Sequence, residues 1–321
     1  VGTKVNRQIE RLIARGMENI DNYKVAYLLM VHKQPGLVRR LIERLQFGGC
    51  AFWVQVDAKT DINSFIKELA DFKNVFFVKN RCNGDWGWFP FVQGNIEGIR
   101  AIHESGYSYD HLVILSGQDY LLCSNNDFIK KLSGNRESSF IHYTKINEDN
   151  NPHLRERVSK YHIKLPRKKK IVYPYTSASF QKKLINKALS ISGVYPLPRV
   201  IPGNRDLYFG SNWIRFSKKA VDYTLKVIDN EPDYVEFFKS TLLAEEHFFH
   251  TILLNADEAD RGPIINTNLT FCHWKRAPEL YPVPLGMSDL DLLLSSGDML
   301  ARKFDITSDT TILDYLDKKF A

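Results

Sequence analysis

No apolar run in the sequence approaches the roughly 20 residues needed to cross a bilayer. The first residues also lack the charged-then-apolar layout of a signal peptide, so the expectation is a soluble chain. Because the chain begins at Val1 rather than Met, an upstream targeting or anchoring segment stays open. Cysteine is scarce. Cys50, Cys82, Cys123 and Cys272 have no paired spacing, which argues against a disulfide framework and a zinc site and for a reducing compartment. No Gly-x-Gly-x-x-Gly follows the first predicted strand, and no Gly-Lys-Ser/Thr phosphate loop occurs. The common dinucleotide and NTPase readings therefore lose their main support. Internal repeats and low-complexity tracts are absent as well.

What is present is ordinary for a globular protein: 321 residues, 44% hydrophobic and 25% charged, enough chain for one large α/β domain or two smaller ones. The net charge of +7 suits an anionic partner, whether nucleotide, phospholipid surface or nucleic acid, without choosing among them. Apolar runs at Val25–Val31, Phe52–Val56, Val75–Val78 and Leu112–Leu115 alternate with helical spacing at Leu37–Leu45, Ser64–Leu69 and Val92–His103. That alternation predicts a Rossmann-like, mostly parallel sheet flanked by helices. Val5–Met17 predicts a helix ahead of it. The expected layout is an N-terminal helix over 1–21 and two halves of one domain, 22–135 and 136–321.

The Leu112–Leu115 run stops at Ser116-Gly117-Gln118-Asp119-Tyr120. In an open α/β sheet the ligand crevice lies beyond the carboxyl ends of the strands, where Ser116, Gly117 and Asp119 would sit; the alternative is a turn stabilised by its Asp. Asp57 ends the second strand and suits a ribose hydroxyl or a uracil-type imide, or else a helix cap. Trp86-Gly87-Trp88-Phe89-Pro90-Phe91 is either core or a stacking surface for a sugar or base. Ser124 or Asn125 caps a helix to Leu132. Asn147–Tyr175 is polar and basic: a solvated loop, or a contact for an acidic acceptor, a membrane surface or nucleic acid. Tyr208–Phe216 reads as a turn and then a strand, Lys218–Val227 as a helix. Glu245 and Glu246 open an apolar helical stretch, as acids favoured by the helix dipole or as a general base with a neighbour that faces solvent or the helix end. Leu269–Trp274 reads as a last strand, and Ala301–Asp305 closes the ordered body.

In this order the motifs resemble glycosyltransferase family 14, the core-2/I-branching β-1,6-N-acetylglucosaminyltransferases and peptide O-xylosyltransferases, from about Val25 to Phe304. Tyr27–His32 is similar to the family's first strand ending in Val-His, and Val54-Gln55-Val56-Asp57 to its Ile-His-Val-Asp strand end. Trp86-Gly87 through Gln93 resembles its Trp-Gly segment. Ser116–Tyr120 is close to its Ser-Gly-x-Asp-Phe-Pro signature, with Leu121 where Pro is usual. Gly210–Trp213, Glu245-Glu246-His247, the strand ending at Trp274, and Ala301–Asp305 follow in the family's order.

The resemblance implies a GT-A fold that moves a sugar, N-acetylglucosamine or xylose, from a UDP donor to an acceptor hydroxyl with inversion and without a metal cofactor. Asp289-Leu290-Asp291, the one Asp-x-Asp in the chain, stands late and at a predicted helix start, so it reads as a cap. Glu246 matches the catalytic base. Val31, His32, Asp57, Trp86, Ser116, Gly117 and Asp119 fall on the donor side. Arg302 and Lys303 are the cations for the diphosphate, with Lys275 or Arg276 as helpers, while Leu280 stands where the family has a second diphosphate Arg. Trp213, Glu245, Trp274, Arg155 and Arg157 fall on the acceptor side. The partners expected are a UDP-sugar and a glycan or lipid-linked saccharide, with peripheral membrane contact through 155–170, no nucleic acid, and a cytoplasmic setting as in a bacterial-type member. The competing readings are a metal-dependent transferase using Asp289 and Asp291, and a basic glycan- or nucleic-acid-binding module without catalysis.

Overall fold

The continuous apolar runs form the centre of the molecule, because a strand covered by helices on both faces cannot alternate apolar with polar residues. The structure, a computed structural model, describes residues 22–147, 151–164, 170–173, 184, 187–188, 191, 199–274 and 282–320. The helix expected at Val5–Met17 lies outside the described residues, as do Lys275, Arg276 and Leu280.

In chain order the strands are β1 (Val25–Val31), β2 (Cys50–Val56), β3 (Val75–Phe77), β4 (His111–Ser116), β5 (Asp119–Leu121), β6 (Ser139–Phe140) and β7 (Tyr143–Lys145). They continue with β8 (Tyr161–Lys164), β9 (Lys170–Tyr173), β10 (Tyr208–Gly210), β11 (Arg215–Ser217), β12 (Ile264–Ile265), β13 (Thr270–Cys272) and β14 (Leu300–Arg302). The central sheet has seven strands in the order β12-β6-β11-β4-β1-β2-β3. β1, β2, β3 and β4 run parallel, and β11 enters antiparallel between β4 and β6. The expected mixed, mostly parallel α/β sheet is thus what forms, and strands from both halves of the chain share it.

Side chains of β1 alternate between two cores. Val25, Tyr27, Leu29 and Val31 pack with the helices Pro35–Leu45, Asn125–Ser133 and Thr311–Phe320, whereas Ala26 and Leu28 pack with Phe89–Glu104, Lys218–Asn230 and Phe248–Leu254. Register then assembles one edge: Val31 pairs with Val56 and Met30 with Ser116, so the residues that follow each strand emerge side by side. A second sheet, β13-β14-β5, places Arg302 opposite Asp119.

Several boundaries differ from expectation for local reasons. The helix expected from Val92 begins at Phe89, because Pro90 fits the first turn, where no backbone N–H is required. Ser124 caps its helix as expected, its hydroxyl accepting from the Asp127 amide. Tyr208–Gly210 is a strand rather than a turn, paired with β7. The ordered body does not close at Asp305. Thr311–Phe320 adds a helix that buries Ile312, Leu313 and Leu316 and anchors Arg40 through Asp314 and Asp317.

Candidate functional site

The carboxyl ends of β1, β2 and β4 open into a cleft of about 910 Å³. Its floor and walls come from His32, Asp57, Ser116 and Gly117 at those strand ends, from Trp86, Pro90 and Gly94 at the head of the Phe89–Glu104 helix, and from Trp213, Glu246, Arg302 and Lys303. Residues far apart in sequence therefore share one cavity. Gly117 is required by space: a Cβ there would lie 2.9 Å from Val38 Cγ2 and 3.1 Å from Val31 Cγ1.

Asp119 does not line the cleft; it is fully buried beneath it. Its carboxylate accepts from the Ser116 backbone N–H (2.7 Å), the Ser116 hydroxyl (2.8 Å), the Trp213 indole N–H (3.0 Å) and Arg302 Nε (3.2 Å). This corrects its expected place among the donor contacts: burial and a full set of donors make it the group that orients Arg302 and Trp213. The Arg302 guanidinium stacks 3.9 Å from the Trp213 ring centroid, so the ring expected to serve an acceptor is tied to the cation expected to serve the donor. Lys303 follows half-buried, and burial, with Lys33 and Arg302 nearby, lowers its pKa. Asp305 anchors this corner by accepting from Lys33 Nζ at 2.7 Å and from Gln34.

Glu245 and Glu246 do not start the helix. They occupy a 3-10 turn, Ala244–Glu246, entered through Leu243 at φ 53°, and the α-helix restarts at Phe248. In a 3-10 turn successive side chains diverge by about 120°. Glu246 faces the cleft and Arg157, whose Nη1 donates to Glu246 Oε2 at 2.6 Å. Burial raises the Glu246 pKa, and the Arg157 charge opposes that rise. Glu245 also lines the cleft but turns inward from solvent, is 2% exposed, and accepts from the Gly87 N–H at 3.2 Å. Gly87 has φ 79°, a conformation costly for any other residue, and its turn delivers the amide to Glu245.

Burial pushes the Glu245 carboxyl up to about 7 from 4.5. The folded protein thus keeps a proton that the unfolded chain releases above about 4.5. The contribution to stability is full below that pH and is lost as pH rises through about 7. Glu245→Gln keeps the oxygen that meets Gly87. From pH 5 to pH 8 the stability gap should therefore move in the variant's favour by on the order of 3 kcal/mol. Urea denaturation at both pH values measures it, and a gap that does not change would mean Glu245 is ionised throughout.

Trp86 and Trp274 are both more than half exposed and line the cleft, as flat apolar faces of the kind that sugars stack against. Neither of the expected acceptor arginines lines the cleft: Arg157 reaches it only through Glu246, and Arg155 is exposed on the same helix, Pro152–Ser159. Three cations of the basic stretch are paired: Arg157 with Glu246, Lys160 with Glu156, Lys164 with Asp85. Residues 165–169 of that stretch lie outside the described residues.

Asp289 is 2% exposed, lies outside the cleft lining, and accepts from the Gly286 N–H at 2.9 Å; it closes the start of the 3-10 turn Met287–Asp289 and makes no side-chain cap bond to the following helix Leu290–Ser295, where the sequence placed its cap. Among the described residues no group of three or more His, Cys, Asp or Glu side chains is placed to hold a metal ion. Among the cleft residues not assigned a role from the sequence, two stand out. Gln55 and Asn212 each carry a buried side-chain oxygen without a hydrogen-bond partner among the described residues. Gln55 was findable, since it stands near the end of a strand, two residues before Asp57.

Residues 25–292 match the family model described as Core-2/I-Branching enzyme. The chain is 26% identical to the beta-glucuronosyltransferase GlcAT14A of Arabidopsis thaliana over 268 residues, 81% of this chain and 54% of that protein. It is 24% identical to human xylosyltransferase 2 over 258 residues, covering 79% of this chain and 27% of that one. Identity is 20% over 314 residues with a human protein named probable beta-1,3-galactosyl-O-glycosyl-glycoprotein beta-1,6-N-acetylglucosaminyltransferase 7, covering 93% and 68%. The chain thus spans about half the length of the plant relative and about a quarter of the human xylosyltransferase.

Proposed function

The chain belongs to the Core-2/I-branching enzyme family, and from that premise we propose that it is a glycosyltransferase that moves a sugar from a UDP donor to a hydroxyl of a glycan acceptor, with inversion. The observation that carries this reading is one cleft holding both a cation pair, Arg302 and Lys303, and a carboxylate, Glu246. Breaking the bond between sugar and phosphate leaves additional negative charge on the UDP. Fixed cations at that place stabilise the transition state more than the ground state. Glu246 takes the proton from the acceptor hydroxyl as it attacks the anomeric carbon, and Arg157 aims that carboxylate and offsets part of the burial that disfavours its charge. Asp119 holds Arg302 against Trp213, so the cation needs no reorganisation during the reaction. Trp86 and Trp274 offer faces for the sugars.

A donor of glucuronic acid, xylose or N-acetylglucosamine is what the named relatives suggest. We also propose catalysis without a metal cofactor. Asp289, the one acid of the late Asp-x-Asp that is buried, spends its carboxylate on a backbone amide away from the cleft. A membrane contact through 155–170 draws no support from the paired cations described there. A cytoplasmic setting fits the four free thiols.

The test is UDP release from a panel of UDP-sugars without acceptor, each run with EDTA and with manganese. Slow hydrolysis of one donor, unaffected by EDTA, is expected. Activity that EDTA abolishes would overturn the metal-free mechanism. Silence across the panel, together with no UDP-induced shift in melting temperature, would favour a binding module instead.

A further inference from the structure

Gln55 is the one polar residue of β2, whose other members are Cys50, Ala51, Phe52, Trp53, Val54 and Val56, and it is 3% exposed. Its Nε2 donates to two carbonyls, Asn80 O at 3.1 Å and Gly94 O at 3.2 Å. Those two acceptors fix the orientation of the amide, because the flipped form would set its oxygen against both carbonyl oxygens. The Oε1 atom is therefore an acceptor by necessity, and it is buried with no partner among the described residues. A buried acceptor left unpaired costs about 1–3 kcal/mol, so one in a cleft wall rewards a ligand that brings a donor.

The surroundings say what kind of donor. Gln55 lines the cleft together with Met30, Cys82, Phe91 and Gly94, and an added Cβ at Gly94 would lie 3.1 Å from Met30 Cε. This is a narrow apolar wall with a single acceptor in it. Asp57, two residues on and just past the end of β2, also lines the cleft, with its carboxylate already accepting from the Lys59 and Gly84 amides. Arg302 ends β14 and Lys303 follows it; β14 pairs with β5, which comes after β4 in the chain, and β1 lies between β4 and β2. Gln55 is thus set to one side of the diphosphate cations, within reach of the flanking parts of a nucleotide sugar.

We propose that Gln55 Oε1 accepts a hydrogen bond from an N–H of the donor substrate, making Gln55 a specificity-determining residue for donors that carry an imide or secondary amide. The proposal rests on the transferase reading of the cleft. Two parts of a nucleotide sugar offer this chemistry, the N3–H of uracil and the N–H of a 2-acetamido sugar.

Calorimetric titration of the wild-type chain with UDP, N3-methyl-UDP, UDP-N-acetylglucosamine and UDP-glucose separates them. One replacement, N3-methyl for N3–H or hydroxyl for acetamido, is expected to weaken binding about tenfold, the upper worth of one neutral hydrogen bond. The first result assigns the base and the second the sugar. In Gln55→Met the same replacement should cost less than twofold. Gln55→Lys, which retains N–H donors for both carbonyls and has no acceptor, takes its place if the Met variant does not fold. Wild-type affinities that ignore both replacements would overturn the proposal, as would equal losses in wild type and variant. Failure of the wild-type chain to bind UDP at all would instead overturn the transferase reading.

Discussion

Glu246→Gln should leave the fold and UDP affinity in place while turnover falls by about 10²–10⁴, the usual worth of a general base. The amide keeps the shape of the carboxylate and an oxygen for Arg157 Nη1, so the loss would come from basicity rather than from packing. Burial raises the Glu246 pKa and Arg157 opposes that, so the base is ionised only above an elevated pKa. Wild-type kcat should accordingly decline on the acid side as Glu246 takes up a proton. The measurement is kcat with donor and acceptor, beside calorimetric Kd for UDP and a thermal melt. Near-wild-type turnover would remove Glu246 from the mechanism and leave Glu245 as the carboxyl to examine.

The second large effect is expected at Arg302. Arg302→Met should lower kcat by about 10²–10³, the range seen when one preorganised donor to developing charge is removed. Asp119 would still accept from the Ser116 amide, the Ser116 hydroxyl and the Trp213 indole, so its buried charge keeps partners and the fold should survive. Arg302→Lys should restore only part of the activity. An ammonium cannot lie flat on the Trp213 ring while also donating to Asp119 in the way the planar guanidinium does. The informative pattern is a fall in kcat and in UDP affinity with the acceptor KM unchanged. If Arg302→Met retains kcat and loses only thermal stability, then Arg302 is a structural partner of Asp119 and the diphosphate is met by Lys303 and its neighbours.

Much of this site was legible in the sequence because its residues sit at strand ends. An apolar run that stops at a polar pair marks the end of a strand, and Ser116, Gly117 and Asp57 line the cleft as that rule requires. Asp119 shows the rule's limit. It comes just after β4 as Asp57 comes just after β2, and it is the same residue type, yet it is buried under four donors while Asp57 faces the cleft. Sequence proximity to a strand end does not say which way the next turn folds. Glu245 and Glu246 make the same point, since adjacent acids read as one helix start and a 3-10 turn sends one inward to Gly87 and the other to Arg157.

What the sequence determined by itself was the order of strands and helices, the carboxyl edge at which function collects, and the family motifs with their candidate base and cations. Periodicity carries that information because it is local: a buried strand and an amphipathic helix each write their pattern within a few residues. What only the tertiary structure decided was the pairing across the chain. Arg302 meets Asp119 through the register of β14 with β5, Arg157 reaches Glu246 from another helix, and the Gln55 amide is fixed by carbonyls of two separate segments. Those contacts depend on how the layers stack. Whether a given oxygen ends up satisfied, charged or waiting for a ligand follows from the groups that packing brings against it, and a linear pattern does not contain them.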